Sequence, residues 1–152
     1  REGKSVAIVD WDVHHGNGTQ DIFWDEAAIG YVSLHQFPLY PGSGAATESG
    51  TAGNILNLPV AAGSGDDIYF GLFDESVLPF LRDRAPDVVL ISAGFDAHER
   101  DPLAQMNLTT ECFAEMTRKL LGFPVLSVLE GGYDLQGLST SVRAHLEALL
   151  EA

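Results

Sequence analysis

The chain has 152 residues, of which 45% are hydrophobic, and this length and composition fit one globular domain with a sizeable core. Its 22 acidic and 8 basic residues give a formal net charge of −14, so the chain lacks the clustered cations that a nucleic-acid partner requires. A single cysteine excludes an internal disulfide, and no apolar run approaches the roughly 20 residues of a membrane span. These features predict a cytoplasmic domain that binds neither nucleic acid nor membrane.

Five short runs of aliphatic and β-branched residues are too short for helices and too uniformly apolar for half-exposed strands. They are Val6–Val9, Ile29–Leu34, Ile55–Leu58, Val88–Ile91 and Val125–Leu129. We expect all five to be buried parallel strands.

Segments with the helical spacing of apolar residues separate these strands. They are Thr19–Asp25, Asp66–Arg84, Thr110–Leu121 and Leu138–Leu150. Asp66 or Asp67 is expected to cap the second helix, and Pro79 predicts a kink or a break within it. Thr109 or Thr110 is expected to cap the third. The alternation of strands and helices predicts a three-layer α/β/α fold with a parallel sheet.

Polar residues concentrate where the predicted strands end, and ligands of parallel α/β sheets bind outside these carboxyl ends. Asp12 and His14 follow the first strand, and residues two apart can direct their side chains to one point. A catalytic zinc ion takes three protein ligands, and Asp96 after the fourth strand is the best third candidate. From these residue types alone, Asp12, His14 and Asp96 could equally be metal ligands or ordinary turn and capping residues.

Five segments occur in the order that is typical of the histone deacetylase superfamily, and they extend over nearly the whole chain. They are Asp10–Gln20, Val32–His35, Tyr40–Gly44, Ser92–His98 and Glu130–Tyr133. The chain resembles this superfamily, and Asn17 with the Gly-Thr-Gln that follows it is closer to class II deacetylases and bacterial deacetylase-like amidohydrolases. Acetoin-utilisation proteins and acetylpolyamine amidohydrolases are similar members of the same superfamily.

The resemblance implies zinc-dependent hydrolysis of N-acetyl amides. It implies that Asp12, His14 and Asp96 are the zinc ligands. The hydroxyl of Tyr133 would donate to the carbonyl oxygen of the scissile amide and stabilise its developing negative charge. The expected substrate is an acetylated amine, which is a protein lysine, a polyamine or a small metabolite.

Two further sets of residues come from the resemblance. Tyr40 and Leu103 resemble residues that line the acyl-lysine tunnel, and Gly131 and Gly132 would allow close approach of the substrate. A structural monovalent cation, usually potassium in the family, would be bound by Asp10, the Ser33 hydroxyl and the Leu34 carbonyl, together with the backbone carbonyls of Asp12 and His14.

The general base of the family is a tandem histidine well upstream of the Asp-x-Asp-x-His segment, and the chain starts only a few residues before that segment. His14 is used as a ligand, and His15 does not occupy a position of the catalytic pair. We therefore interpret residues 1–152 as the C-terminal part of a deacetylase-type catalytic domain, and we expect this chain alone to be inactive.

The arginase/deacetylase-like sheet of the family has eight strands, of which the five predicted here would be the last five. The family order then implies that the first strand is central and that Val125–Leu129 lies at one edge. An apolar edge strand invites pairing with another chain, so we expect self-association.

Two alternatives to the enzyme are a non-catalytic metal-binding or assembly module and, less favoured, an arginase-like ureohydrolase. The latter would bind a second manganese through another Asp-x-Asp, where this chain has Asp96-Ala97-His98. Among the other histidines, His98 is expected to border the substrate entrance and His145 to lie on the surface. His35 is compatible with a place beside the cation or with a packing role.

Overall fold

The computed structural model describes residues 3–151, so residues 1, 2 and 152 of the predicted domain lie outside it. All five predicted strands are present, and helices connect them. In chain order the elements are β1 (Val6–Asp10), α1 (Asn17–Phe23), β2 (Ile29–Gln36), β3 (Ile55–Val60), α2 (Asp66–Leu72), a π-helical turn (Phe73–Val77), α3 (Leu78–Arg84), β4 (Val88–Ala93), α4 (Thr110–Leu120), β5 (Val125–Leu129) and α5 (Leu135–Leu149).

The strands form one parallel sheet in the order β3-β2-β1-β4-β5, which confirms the predicted fold class and strand order. The chain runs outward from β1 through β2 to β3 and then returns to β4 on the other side of β1. Asp10, the last residue of β1, pairs with Ser33 on one side and with Ser92 on the other. This change of direction opens a crevice at the carboxyl end of β1.

Alternating residues of the central strands pack against helices on opposite faces of the sheet. Ala7 and Val9 belong to the larger apolar cluster, which also contains side chains of α2, α3 and α4 and the fully buried Trp11. Ile8 and Tyr31 belong to a smaller cluster, against which α1 packs through Phe23. Helices on both faces explain why β1 and β2 contain almost no polar side chains before their carboxyl ends.

The helix boundaries confirm some of the predicted capping residues and correct others. Thr109 caps α4, because its side chain accepts a hydrogen bond from the backbone N–H of Cys112. Near Pro79, where a kink or a break was predicted, the backbone stays helical: α2 continues through the π-helical turn into α3, and Pro79 lies in the first turn of α3. The predicted cap of α2 is wrong. Its first turn follows Gly65, and the carboxylate of Asp66 instead accepts from the backbone and hydroxyl of Thr109.

The last strand and the last helix expose apolar side chains. We call this surface the β5–α5 face, and its members are Leu126, Val128, Leu129, Leu135, Leu146 and Leu150. Part of it borders an apolar groove of about 600 Å³. The exposed edge that the sequence predicts is therefore present. No helix within the described residues has the length and apolar character to cross a membrane.

The buried side of α5 carries a histidine that the sequence interpretation placed on the surface. His145 is 3% exposed, and its ring lies between two hydroxyl groups. Its Nδ1 is 2.6 Å from Oγ1 of Thr117 on α4, and its Nε2 is 2.8 Å from Oγ of Ser127 on β5. The prediction for His145 was wrong, because the residue connects α5 to its two neighbouring elements.

Candidate functional site

The three predicted metal ligands lie together at the carboxyl ends of β1 and β4. One potential ligand atom from each of Asp12, His14 and Asp96 lies within 4.8 Å of the other two. The Nδ1 atom of His14 is 3.1 Å from Oδ1 of Asp12 and 3.1 Å from Oδ2 of Asp96. Residues that are 84 positions apart along the chain therefore converge on one point.

Two consecutive side-chain turns bring Asp12 and His14 to the same side of their segment. A carboxylate oxygen of Asp10 accepts a hydrogen bond from the N–H of Asp12 at 3.1 Å, and Oδ1 of Asp12 accepts from the N–H of His14 at 2.9 Å. Aspartate commonly bonds to the backbone two residues later in this way. The Asp-x-Asp-x-His spacing thus produces the geometry locally, without a regular element.

Backbone N–H groups hold the outward oxygen of each carboxylate. Oδ2 of Asp12 accepts from the N–H of Gly131 at 2.9 Å, and Oδ1 of Asp96 accepts from the N–H of Val13 at 2.8 Å. The remaining oxygens, Oδ1 of Asp12 and Oδ2 of Asp96, face His14. The cluster is therefore fixed in position by neighbouring loops rather than by its own side chains alone.

Two glycines allow the backbone to pass directly against these carboxylates. A Cβ at Gly131 would lie 2.6 Å from Oδ2 of Asp12 and still closer to Oδ2 of Asp96. A Cβ at Gly94 would lie 2.6 Å from the Cβ of Asp12 and still closer to its Cα. No side chain fits at either position without displacing a candidate ligand.

The electrostatics of the cluster favour a bound cation. Asp96 is fully buried, and this burial together with the neighbouring Asp12 raises the pKa of Asp96. Burial also raises the pKa of Asp10 to about 8. Buried carboxylates of like charge are costly unless a positive charge accompanies them. Two carboxylates and one imidazole are ligand types that zinc accepts, so the residues present fit a divalent metal.

A polar cavity of about 230 Å³ adjoins the cluster. It is lined by Asp10, Asp12, His14, His15, Gly16, Thr19, Ser92 and Glu130. The hydroxyl of Ser92 donates to the carboxylate of Glu130 at 3.0 Å. Neither residue has a separate role in the sequence interpretation, whereas the structure places both on the wall of this cavity.

The residues of the predicted monovalent site lie on neighbouring strands. Asp10 and Ser33 are directly paired across β1 and β2, and Leu34 follows on β2. The hydroxyl of Tyr31 donates to the Asp10 carboxylate at 2.9 Å, a contact that the sequence analysis did not identify. Oγ of Ser33 is 3.0 Å from Nδ1 of His35, which is buried and directly contacts this predicted site.

The predicted tunnel residues Tyr40 and Leu103 and the predicted catalytic Tyr133 are largely exposed. Tyr40 is 79% exposed, and its ring lies edge-on to that of His14 with 6.5 Å between centroids. Leu103 is 51% and Tyr133 is 53% exposed. Tyr133 follows Gly131 and Gly132 on the loop after β5. Partial burial and the carboxylates of the cluster raise the pKa of its phenol, which keeps the hydroxyl protonated.

The other four histidines are occupied by hydrogen bonds. His15 is 3% exposed, with Nδ1 at 2.8 Å from Oγ of Ser43 and Nε2 at 3.0 Å from Oε1 of Gln20. His98 is buried and stacks on Phe113, so its expected place at the substrate entrance is wrong. The remaining ring-nitrogen contacts are those of His35 with Ser33 and Gly44, His98 with Arg100 and Thr110, and His145 with Thr117 and Ser127.

Comparison with known proteins gives consistent matches over almost the entire chain. Residues 1–149 match the histone deacetylase domain family. An uncharacterized protein of Synechocystis sp. is 51% identical over 150 residues, which are 97% of this chain and 49% of the relative. The crystal structure of the HDA15 HD domain has a TM-score of 0.94 at 43% identity, and the match covers 98% of this chain and 46% of that one.

A second solved structure is similar to this chain over nearly the same length. Acetylpolyamine aminohydrolase from Burkholderia pseudomallei has a TM-score of 0.90 at 35% identity, and the match covers 95% of this chain and 44% of that one. The chain spans about half the length of the curated relatives it matches first, 49% and 44%. The sequence match over residues 1–149, the fold and the converging Asp-His-Asp cluster agree, and the chain belongs to the histone deacetylase domain family.

Proposed function

We propose that residues 1–152 form the metal-binding, C-terminal part of a zinc-dependent amidohydrolase domain that removes acetyl groups from N-acetylated amines. The convergence of Asp12, His14 and Asp96 beside the loop of Tyr133 carries this proposal. When bound there, zinc supplies Lewis-acid polarisation of the amide carbonyl. Membership of the deacetylase family supports hydrolysis as the reaction.

Tyr133 would donate its hydroxyl to the carbonyl oxygen of the substrate as negative charge develops there. Its raised pKa favours the protonated form that this donation requires. The exposed ring of Tyr40 beside His14 and the exposed Leu103 would border the acyl chain, while Gly131 and Gly132 keep the backbone next to the cluster free of side chains.

The substrate class is an acetylated primary amine, on a protein lysine, a polyamine or a small metabolite. The relatives include a protein described as a probable deacetylase from Archaeoglobus fulgidus, and a solved neighbour is an acetylpolyamine aminohydrolase. The net charge of −14 would attract a substrate that carries further amines. The cytoplasmic location predicted from composition belongs to the same proposal, and cell fractionation tests it.

The general base would come from outside the described residues. Both ring nitrogens of His15 are engaged in a buried network, and the ring of His14 faces the two carboxylates. Loss of a general base typically lowers a rate by about 10²–10⁴-fold. We therefore expect residues 1–152 on their own to show negligible deacetylase activity.

A potassium ion beside Asp10 is the second part of the metal proposal. The carboxylate of Asp10 is buried, and burial raises its pKa to about 8. The Ser33 hydroxyl and the carbonyl of Leu34 are on the adjacent strand. Replacement of potassium by a bulky organic cation should lower thermal stability, whereas equal stability in both salts would contradict this assignment.

The decisive experiment uses the complete gene product that contains this chain. It should hydrolyse an acetyl-lysine peptide or an acetylated polyamine, lose activity on treatment with a chelator and regain it with zinc. Asp96→Ala should abolish both activity and zinc binding, whereas Gly122→Ala, at a glycine with open space around it, should leave both unchanged. Activity that survives complete removal of metal would contradict the proposal.

A non-catalytic metal-binding module is the second candidate, because Asp12, His14 and Asp96 are present while the general base is not among the described residues. The same assay separates the two functions. Zinc binding by the complete gene product without hydrolysis of any acetylated amine would favour the module. An arginase-like ureohydrolase remains disfavoured, since Asp96-Ala97-His98 lacks a second aspartate for another metal.

A further inference from the structure

One buried carboxylate connects the loop of Tyr133 to the loop of Leu103. Asp101 is 8% exposed, and both of its oxygens accept hydrogen bonds from backbone N–H groups. Oδ2 accepts from Tyr133 at 2.7 Å and Oδ1 accepts from Leu103 at 2.9 Å. Two segments that are 30 residues apart in sequence are therefore held by a single side chain.

The loop of Tyr133 has a second attachment, which lies on the other side of Gly132. The N–H of Gly131 donates to Asp12, and its carbonyl accepts from the N–H of Phe95 at 2.8 Å. Gly132, with φ of +142°, adopts a conformation that other residues rarely take. The backbone at Tyr133 is thus fixed by one candidate metal ligand on one side and by Asp101 on the other.

The side chain of Tyr133 has few contacts of its own that could fix its direction. It is 53% exposed, so the position of its backbone largely determines where the hydroxyl lies. The neighbouring ion pair of Arg100 with Asp134, at 3.0 Å, is exposed and contributes little stability. Asp101 is the buried, charge-assisted contact that remains.

We propose that Asp101 is a positioning residue, which holds the Tyr133 hydroxyl at the substrate carbonyl and sets its distance from the wall at Leu103. The inference rests on the proposed role of Tyr133 in amide hydrolysis. A displacement of about 1 Å in an active site can lower a rate by roughly 10²-fold. Asp101 acts through Tyr133 and needs no contact with substrate.

Asp101→Asn in the complete gene product tests this role with little change of shape. The N–H groups of Tyr133 and Leu103 face different oxygens of Asp101, and in asparagine one of these positions becomes an NH2 donor, so one of the two N–H groups loses its acceptor. We expect kcat to fall by roughly 10- to 100-fold. Thr109→Ala is the matched control, because it removes the cap of α4 and should leave kcat unchanged.

A double-mutant cycle with Tyr133→Phe separates positioning from general destabilisation. If Asp101 acts through the Tyr133 hydroxyl, Asp101→Asn should change kcat by less than about twofold once that hydroxyl is absent. Effects that multiply would overturn the inference. An inactive wild type, or a Tyr133→Phe variant with full activity, would instead overturn the proposed function and the inference with it.

A measurement on the wild type covers the case in which Asp101→Asn does not fold. The backbone N–H of Tyr133 should exchange slowly with deuterium, because it is bonded to a buried carboxylate. An exchange rate equal to that of an unstructured chain would overturn the inference, irrespective of any activity.

Discussion

The carboxyl end of β1 buries charge, whereas the β5–α5 face exposes hydrocarbon. Asp96 is fully buried and Asp10 is 4% exposed, while Leu126 and Leu150 are 62% and 86% exposed. Both regions depart from the usual partition, in which carboxylates face water and leucines do not. One region buries charged groups and the other exposes apolar groups, so the two regions indicate different kinds of ligand.

At the first region every carboxylate of the cluster already has hydrogen-bond donors, and what its chemistry favours is a single positive ion. At the second region the surface is almost entirely hydrocarbon, and the charged side chains that border it, Arg143 and Glu147, are paired with each other. An exposed apolar patch of this kind is typical of contact with another protein surface. A departure from normal burial therefore indicates the kind of ligand only when its hydrogen bonds are considered together with its area.

Gly131→Ala should have the largest effect on the first region. The new Cβ would lie 2.6 Å from Oδ2 of Asp12 and would displace Asp96 as well. We expect zinc affinity to fall by roughly 100-fold or more, since the support of metal ligands is worth about 10- to 100-fold. Competition with a chromogenic chelator measures this affinity.

Gly122→Ala is the control for Gly131→Ala. A Cβ at Gly122 meets no atom within 4 Å, so zinc affinity should not change. Equal affinities in the two variants would mean that the crowding at Gly131 is relieved without moving the carboxylates.

The buried side of α5 should show a pH dependence of stability. Burial lowers the pKa of His145 to about 4, below the value of about 6.5 in an unfolded chain, so the unfolded state binds the proton first as pH falls. The free energy of unfolding should therefore decrease by about 2 kcal/mol between about pH 7 and pH 5 on account of this residue. Urea denaturation at the two pH values measures the change.

His145→Gln isolates that contribution, because glutamine can bond to both hydroxyl neighbours and does not titrate. Burial also lowers the pKa of His35 to about 4, so the variant retains part of the pH dependence. The difference between the two proteins reports His145. Parallel pH curves would show that protonation of His145 does not affect folding.

We expect the smallest of the three effects on the β5–α5 face. Residues 1–152 on their own should self-associate through it, and Leu126→Lys should weaken association by about tenfold, which corresponds to the burial of one leucine side chain. Ile22→Lys is the control, since Ile22 is 71% exposed on α1, away from this face. A monodisperse monomer at high concentration in light scattering would contradict self-association.

The sheet and the Asp12-His14-Asp96 cluster could be predicted because both leave patterns in the sequence. The strands are uniformly apolar, and the spacing of Asp12 and His14 is sufficient to form the turns that align them. The third candidate ligand was found because strand ends meet at one edge of a parallel sheet. The proposed substrate-binding residues were assigned by resemblance, and no local pattern indicates their exposed positions.

Helix α5 shows why the buried side of a helix and its first residue could not be predicted from the sequence. Its buried side consists of Gly137, Ser141, His145 and Ala148, while Leu135 and Leu146, and Leu150 just after the helix, are exposed. The apolar residues Leu138 and Val142 do pack against the core, but the pattern does not show that Ser141 and His145 are buried while Leu146 is exposed. Its start at Leu135 rather than Leu138 follows from Asp134, whose side chain accepts from the N–H of Gly137.

The prediction that Asp66 caps α2 was wrong for a related reason. The residue has the right type and position to cap α2, but its carboxylate is bonded to Thr109, which lies 43 residues later. Competition between a local and a distant partner is decided by tertiary structure, and a sequence pattern contains only the local one.

The glycines that face the carboxylates have a consequence for the evolution of this chain. Gly16, Gly94 and Gly131 each pass so close to Asp10, Asp12 or Asp96 that a single added carbon would collide with the acidic side chain. In a saturation mutagenesis library selected for metal-dependent activity, these positions should therefore be as intolerant of change as the aspartates. Selection against substitution at the site would then extend to glycines, which contribute no side chain to it.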